Sequence, residues 1–565
     1  MSQEAGKASN MLASAMSGTT SLIFIQLASR LFIFSSNQLI LRSLSPSILG
    51  VAAQLELFMI TIIYFSRESI RAAIQRQPLL PPTTSPADTD QDAKSPIEEQ
   101  RLQRAQAKSS QSVVNMSYLC IIMGVVMAAA FGTFYVQFAS EEVLETPLYH
   151  RSVAVTAFAA LIELSSEPFF SVAQQHMLYQ KRAAVEICAA FMKSLVTCGV
   201  SIWGFWTSHS LGVLPFALGY LTYSTVIVCG YFLATKQLSR VWHFSFLLSR
   251  IESSTKSEYL LDRFPRLLLS LSANVFFQAV VKHLLTQGDS LILAAMTSLQ
   301  DQGIYSLASN YGGLLARILF QPIEESSRTI FSALLSSTGA KGRDGNIRTA
   351  RAHLLNVLRG YMVISVLVIP LGPSLTPRAL YILGGRRWAV PEIDSLLASY
   401  CYYIPFLAFN GISEAFVSSA ASPSQLRKQA AWMGLFSACF ALAAYLLLAI
   451  GGMGARGLVY ANIVNMFVRI VWSMRFIRRY LCQHNSDITF NEFALRPQTY
   501  AAGAAAMALF SAAEAKLPSY GNILPFGLGG GYVLLMLYSE REHIMTHYTK
   551  LQRVIKSRTT RSKTD

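Results

Sequence analysis

What most constrains this chain is the recurrence of apolar runs of about 20 residues, each long enough to cross the ~30 Å hydrocarbon core of a bilayer as one helix. They fall at roughly 20 to 42, 47 to 66, 113 to 138, 152 to 177, 183 to 207, 211 to 234, 268 to 298, 303 to 335, 352 to 372, 395 to 420, 429 to 450, 456 to 475, 498 to 514 and 522 to 539. About fourteen such spans predict an all-α polytopic membrane protein. Composition agrees, with 52% hydrophobic residues, 14% charged residues and a mean hydropathy of +0.38.

The net charge of +16 raises nucleic acid as a partner. No soluble domain is present to carry a binding groove, however, and the basic residues lie in loops between apolar runs. Anionic lipid headgroups are the expected partner and nucleic acid is not. The seven cysteines are scattered and none has CxxC spacing, so no disulfide framework, metal site or cofactor is expected. Most of the 47 Lys and Arg fall in the termini and the even-numbered loops, which predicts that both termini are cytosolic. The polar start "MSQEAGKASN" and the length of the first apolar run do not fit a cleaved signal, so the first helix is expected to be retained.

The same pattern divides the chain. Residues 1–19 form a cytosolic N-terminus, 20–234 a six-helix bundle, 235–265 a cytosolic linker and 266–480 a second six-helix bundle. Two further spans occupy 481–540, and 541–565 is a basic cytosolic tail. Within the first bundle, 77–112 is rich in Pro, Thr, Asp and Gln and reads as a flexible cytosolic loop, with room for a short amphipathic helix near Arg101. A weak internal repeat supports duplication: "NQLILRSLSPSILG" (Asn37 to Gly50) resembles "DSLILAAMTSLQDQG" (Asp289 to Gly303) with one gap.

Charge at mid-bilayer is costly, so ionisable residues inside spans are expected to face a bundle interior or a wetted cavity. Helical spacing supports this. Gln26, Arg30 and Asn37 share a face in the first span; Glu163, Glu167 and Gln174 in the fourth; Asn274, Gln278, Lys282 and Asp289 in the seventh. Arg317, Gln321, Glu324 and Arg328 follow the same rule in the eighth, where Pro322 predicts a kink. Asn410 with Glu414, and Asn462 and Asn465 with Arg469, extend the pattern. Bland readings stand beside these. Arg42, Arg67 and Arg266 lie at span ends, where snorkelling explains them. Glu324 and Glu325 sit where pairing with Arg328 would suffice, and Arg30, Lys282 and Arg317 could pair internally with Glu163, Glu167 or Asp289.

Other motifs carry less. "GAKGRDG" (Gly339 to Gly345) lacks the strand and the GK[ST] ending of a phosphate-binding loop. His543 and His547 have no further ligands, "GLGGGY" near Gly529 fits close helix packing, and no catalytic triad can be assembled. Asn115-Met-Ser is the only glycosylation sequon and is cytosolic on this topology.

Six stretches carry a resemblance: "SSNQLILRSLSPSILGVA", "FSRESIR", "ELSSEPFFSVAQQHM", "KHLLTQGDSLIL", "DQGIYSLASNYGGLLARILFQPIEES" and "FNGISEAF". Together they resemble the Rft proteins of the eukaryotic endoplasmic reticulum, in the right order from the first span to about the twelfth. The resemblance implies the fold of the multidrug, oligosaccharidyl-lipid and polysaccharide exporters, with two six-helix bundles around a central cavity and two C-terminal helices. It implies a non-enzymatic role in N-glycosylation at the endoplasmic reticulum membrane. That role is the supply of dolichyl-diphosphate heptasaccharide, five mannoses on two N-acetylglucosamines, to the lumenal leaflet, with an association with the glycosylation machinery among the partners. The Pro-rich segment near Asp88 and the doublet Arg386-Arg387 are not part of the family pattern.

A diphosphate needs cationic forks, a sugar head needs many hydrogen bonds and a polyprenyl tail needs lipid. Arg30, Arg42, Arg67, Lys282 and Arg317 are accordingly the expected headgroup contacts, with Gln26, Asn37 and Gln278 beside them. Glu163, Glu167, Asp289, Glu324, Glu325, Glu414 and Arg469 are expected to balance charge or gate. Two other classes stay open: a non-transporting glycolipid-binding or support protein, and an ion-coupled drug exporter.

Overall fold

The computed structural model describes residues 35–36, 38–41, 44–75, 96–176, 178–242, 244–251, 258–335, 343–384, 391–516 and 523–541. They are helical almost throughout, because a backbone N–H or C=O left unpaired in lipid costs several kcal/mol and a helix satisfies both within one segment. Among the described residues nine helices are long and apolar enough to cross a membrane. The chain is an all-helical, multi-pass membrane protein that divides into two compact units, Met1–Leu291 and Ile292–Asp565.

In the first unit the long helices are α1 (Pro46–Gln75), α2 (Pro96–Gln137), α3 (Tyr149–Ser165), α4 (Glu167–Gln175), α5 (Tyr179–Trp206), α6 (Leu214–Val241) and most of α7 (Arg266–Met296). α6 packs along both α5 and α3, and α1 packs along α2. The turn into α6 requires glycine at 212: its φ is +53°, and a Cβ there would lie 2.1 Å from the Pro147 carbonyl oxygen. α3 and α4 are one apolar run broken at Ser166. Pro168 has no N–H to give to the Leu164 carbonyl, so the helix stops and restarts, and Glu167 lands in the first turn of α4.

The linker between α6 and α7 is clasped onto α2. Asn115 donates to the carbonyls of Ser249 (2.7 Å) and Arg263 (2.9 Å) and accepts from the Ser249 N–H. Gln111 donates to the Leu247 carbonyl at 3.1 Å and accepts from the Ser245 N–H at 2.9 Å. A two-residue-per-strand hairpin, Tyr259–Leu260 against Phe264–Pro265, closes the linker. The sequon asparagine is therefore fully buried, with its amide committed to the backbone.

The second unit contains α8 (Leu299–Leu315), α9 (Gln321–Leu335), α10 (Arg343–Gly384), α11 (Pro391–Ala420), α12 (Pro423–Tyr445), α13 (Ala455–Cys482), α14 (Pro497–Lys516) and α15 (Ile523–Ser539). α11 packs against α9, α10 and α13, and α14 lies on α10. Ala506, Phe510, Tyr532 and Met536 of the last two helices bury themselves against Val366, Leu367 and Leu371. At one end Glu540, almost wholly buried, accepts from Arg359 (3.2 Å) and Thr499 (2.9 Å).

Three details differ from the sequence reading. Residues 96–112, expected within a flexible loop, are helical and form the start of α2 (Pro96–Gln137). The helix containing 352–372 does not stop there: α10 runs for 42 residues with Pro370, Pro373 and Pro377 inside it. Membrane helices tolerate such prolines because neighbouring groups satisfy the freed carbonyls. The irregularity near Pro322 lies one turn earlier than the residue itself, as a π-helical turn over Ala316–Phe320 between α8 and α9. A proline cannot donate to the carbonyl four residues back, and a wider turn before it absorbs the mismatch.

Candidate functional site

Along α1, Glu56, Ile60, Ile63, Tyr64, Arg67, Glu68 and Arg71 fall on one broad helical face. That face, with Glu163 of α3, Lys193 of α5 and Tyr220 and Tyr223 of α6, lines a cavity of about 270 Å³ inside the first unit. It is a polar, charged site within the membrane-spanning helices.

Its deepest layer is an ion-pair chain. Glu167, whose side chain has no exposed area, accepts from Arg71 Nε (2.8 Å) and Nη2 (2.6 Å) in a bidentate fork. Arg67 donates to Glu163 at 2.7 Å and stands 3.6 Å from Glu167. The Arg71 guanidinium also lies over the Phe170 ring, 3.7 Å from its centroid, and Arg182 shares the same ring at 4.9 Å. Arg182 pairs with Glu186 at 2.8 Å, and Glu186 accepts from the Tyr231 hydroxyl. Arginine suits this position because its planar fork matches one carboxylate while its face stacks on an aromatic ring. The α4 N-terminus adds the favourable end of a helix dipole to the Glu167 carboxylate.

Above this layer, Lys282 of α7 donates to Glu68 at 3.0 Å. His283, buried, meets the Thr61 hydroxyl at 3.1 Å and packs against Tyr64 and Phe65. Lys193 lies over the Tyr220 ring, 4.2 Å from its centroid.

The residues singled out in the sequence are thus distributed unevenly. Arg67, Glu163 and Glu167 are brought together, and Lys282 reaches the same cavity's Glu68. Gln278 and Asn274 are exposed on α7, while Asp289, half-buried, accepts from the Ser290 N–H at 2.8 Å. Gln26, Arg30, Asn37, Arg42 and the Arg386-Arg387 doublet lie outside the described residues, and of Arg317 only the backbone is described. Glu56, Glu68, Arg71, Lys193, Tyr220 and Tyr223 were not singled out in the sequence.

The second unit holds its own polar group. Arg469 donates to Glu414 at 2.9 Å, Asn410 stands 3.4 Å from the same carboxylate oxygen, and Asn462 donates to Tyr305. Arg328 reaches Glu324 at 3.2 Å, Gln321 donates to Glu325, and the Glu324 carboxylate packs onto Gly411, where a Cβ would lie 2.6 Å from it. Separately, α10, α11, α13 and α14 line an open apolar cavity of about 650 Å³, with Met362, Ile369, Phe406, Phe409, Phe467 and Met507 among its walls. No group of three metal-ligating side chains occurs among the described residues, and all seven cysteines are free thiols.

The architecture is that of a multi-helix membrane protein. It superposes on the inward-facing conformation of a multidrug resistance MATE family transporter of the MOP superfamily with a TM-score of 0.53 (14% identity, 80% of this chain, 94% of the other). It superposes on the lipid II flippase MurJ in an inward closed conformation with 0.51 (12% identity, 93% and 100%). The chain belongs to the Rft family: the model described as Rft protein matches residues 14–550. Its relatives include the Man(5)GlcNAc(2)-PP-dolichol translocation protein RFT1 of Yarrowia lipolytica, 35% identical over 84% of this chain and 72% of that protein. The proteins of the same name in Saccharomyces cerevisiae (32% identical; 86% and 87%) and Schizosaccharomyces pombe (31% identical; 83% and 84%) are also similar.

Proposed function

We propose that this protein moves dolichyl-diphosphate heptasaccharide from the cytosolic to the lumenal leaflet of the endoplasmic reticulum membrane for protein N-glycosylation, with both termini cytosolic. The observation that carries the reading is a charged, hydrogen-bonding cavity held inside membrane-spanning helices, in a chain whose relatives are named for translocating this class of lipid. Ionisable residues at membrane depth are expensive to insert, and their retention marks a pathway for a polar cargo. The apolar cavity of the second unit supplies the complementary surface that a polyprenyl segment needs.

We assign diphosphate contact to Arg30, Arg42 and Arg317. Arg67 and Lys282 are better read as holding the cavity wall, because Glu163 and Glu167 already match the charge of the first and Glu68 that of the second. Glu324, Glu325, Glu414 and Arg469 are assigned to gating in the second unit. Movement down a lipid gradient maintained by lumenal consumption requires no nucleotide, and rigid-body alternation of helix groups is the expected mode.

The test uses purified protein in sealed vesicles with a fluorescent heptasaccharide dolichyl-diphosphate. Faster appearance of the lipid on the opposite leaflet than in protein-free vesicles, lost when Arg30→Ala is combined with Arg317→Ala, supports translocation. No acceleration from folded protein that still binds the lipid overturns it in favour of a support role in the pathway.

A further inference from the structure

The cavity of the first unit has a charge balance that does not suit a diphosphate. Its lining carries Arg67, Arg71 and Lys193 against Glu56, Glu68 and Glu163, and Glu167 lies behind the two arginines. Both arginines are held by carboxylates at hydrogen-bonding distance, and Glu68 is held by Lys282. A dianion entering here would have to displace Glu163 or Glu167 from their cations, and breaking such buried pairs is strongly unfavourable.

Two charged lining groups remain available. Among the described residues Glu56 and Lys193 have no hydrogen bond or ion pair, and both line the cavity together with Tyr220, Lys193 lying over its ring. Tyr64 and Tyr223 complete an aromatic wall, with Met59, Ile60 and Ile63 between. One free acceptor, one free donor, tyrosine hydroxyls and flat apolar ring faces suit a neutral polyhydroxylated ring, which offers hydroxyls at its rim and C–H groups on its faces. At about 270 Å³ the cavity is at or just below the small end of ligand pockets, a size for one or two sugar rings rather than a whole glycan.

We infer that this cavity is a glycan subsite, in which Glu56 and Lys193 hydrogen-bond the hydroxyls of a hexose or N-acetylhexosamine held against Tyr220 and Tyr223, and that diphosphate binds elsewhere. The inference rests on the proposed lipid-linked oligosaccharide substrate and adds the part of it that this site reads.

The experiment measures binding of the free heptasaccharide to full-length protein in nanodiscs by saturation-transfer NMR and titration, with inorganic pyrophosphate as competitor. Glu56→Gln and Lys193→Met are each expected to weaken glycan binding about tenfold while the protein stays monodisperse, and pyrophosphate is expected not to compete. Wild-type affinity in both variants, competition by pyrophosphate, or no wild-type binding at millimolar glycan overturns the inference. Vesicle transfer is run in parallel. Transfer by the wild type that neither variant slows sinks the glycan subsite and leaves the transport reading intact. Glycan binding that depends on Glu56, without any wild-type transfer, does the reverse.

Discussion

The two cavities contrast in size, lining and how they are held. The cavity of the first unit is small and charged, and every arginine in its wall is tied to a carboxylate. That of the second is more than twice as large and almost wholly apolar. The difference follows from solvation. A polar cavity at membrane depth must satisfy its own charges at fixed geometry, so it can be open only where a ligand or water supplies the missing partners. An apolar cavity leaves nothing unpaired and can stay wide, accepting hydrocarbon of any register. The first can discriminate between ligands and the second only accommodates them.

The strongest way to break this contrast is to remove the carboxylate that holds both arginines. Glu167→Ala leaves Arg71 and part of Arg67 buried without a counter-ion, a loss of about 3–5 kcal/mol. Folded yield and unfolding temperature, read by size-exclusion and thermal-shift assays, should collapse; wild-type values would show that the chain of ion pairs does not hold the unit. Next in size is a charge placed in each wall. Phe406→Asp in the apolar cavity should cost about 2.5–3.5 kcal/mol, the insertion penalty of an acid at membrane depth. Ile60→Asp, in the charged cavity that Lys193 also lines, should cost clearly less. Equal losses would erase the distinction between the cavities.

These contacts show how far the residues could be read in advance. The spans and the helical class are legible because apolar length and charge placement are local properties. The pairing of Arg67 and Arg71 with Glu163 and Glu167 joins residues 96 apart, and the rotation of α1 against α3 and α4 is set by packing, which no spacing rule encodes. Within α1 the signal was present. Glu56, Tyr64, Arg67, Glu68 and Arg71 recur at helical spacing, and reading Arg67 as a lone span-end residue hid the stripe. Lys193 stands in mid-span and was equally visible as an intramembrane lysine. The extent of α10 was not legible, since three prolines signal a stop in water and only a lipid environment with packed neighbours lets the helix continue.

Smaller effects sharpen the comparison. Ala504→Phe, on the exposed side of α14 that faces the apolar cavity, should fill space at a cost under about 1.5 kcal/mol while reducing co-purifying lipid several-fold by mass spectrometry. Unchanged lipid content would mean that the cavity does not take up hydrocarbon.

The smallest effect lies outside the spans. The Ile488 N–H at 2.7 Å and the Arg478 guanidinium hold the Asp487 carboxyl below its usual range. Burial pushes Glu492 up, but hydrogen bonds from Thr489 and the charge of Arg351 outweigh it and hold it low. Depressed carboxylates stabilise the fold at neutral pH, and that contribution fades as pH falls through their lowered values, below about 4. Unfolding temperature should therefore fall less between pH 5 and pH 3 in Asp487→Asn than in wild type; parallel curves would remove the assignment.

The clasp of Asn115 and Gln111 on the linker has a consequence in time. The carbonyls that Asn115 holds belong to residues 134 and 148 positions later in the chain. At synthesis rates of about 5–20 residues per second, Asn115 waits roughly 7–30 seconds after leaving the ribosome before its partners exist. During that interval α2 is made and its two amides have only each other and solvent to bind, so the first unit cannot be locked at this end until the hairpin at 259–265 has emerged. The linker between α6 and α7 thus fastens onto α2 only late in synthesis of the first unit, and a nascent chain stalled before Arg263 should remain sensitive to protease in this segment.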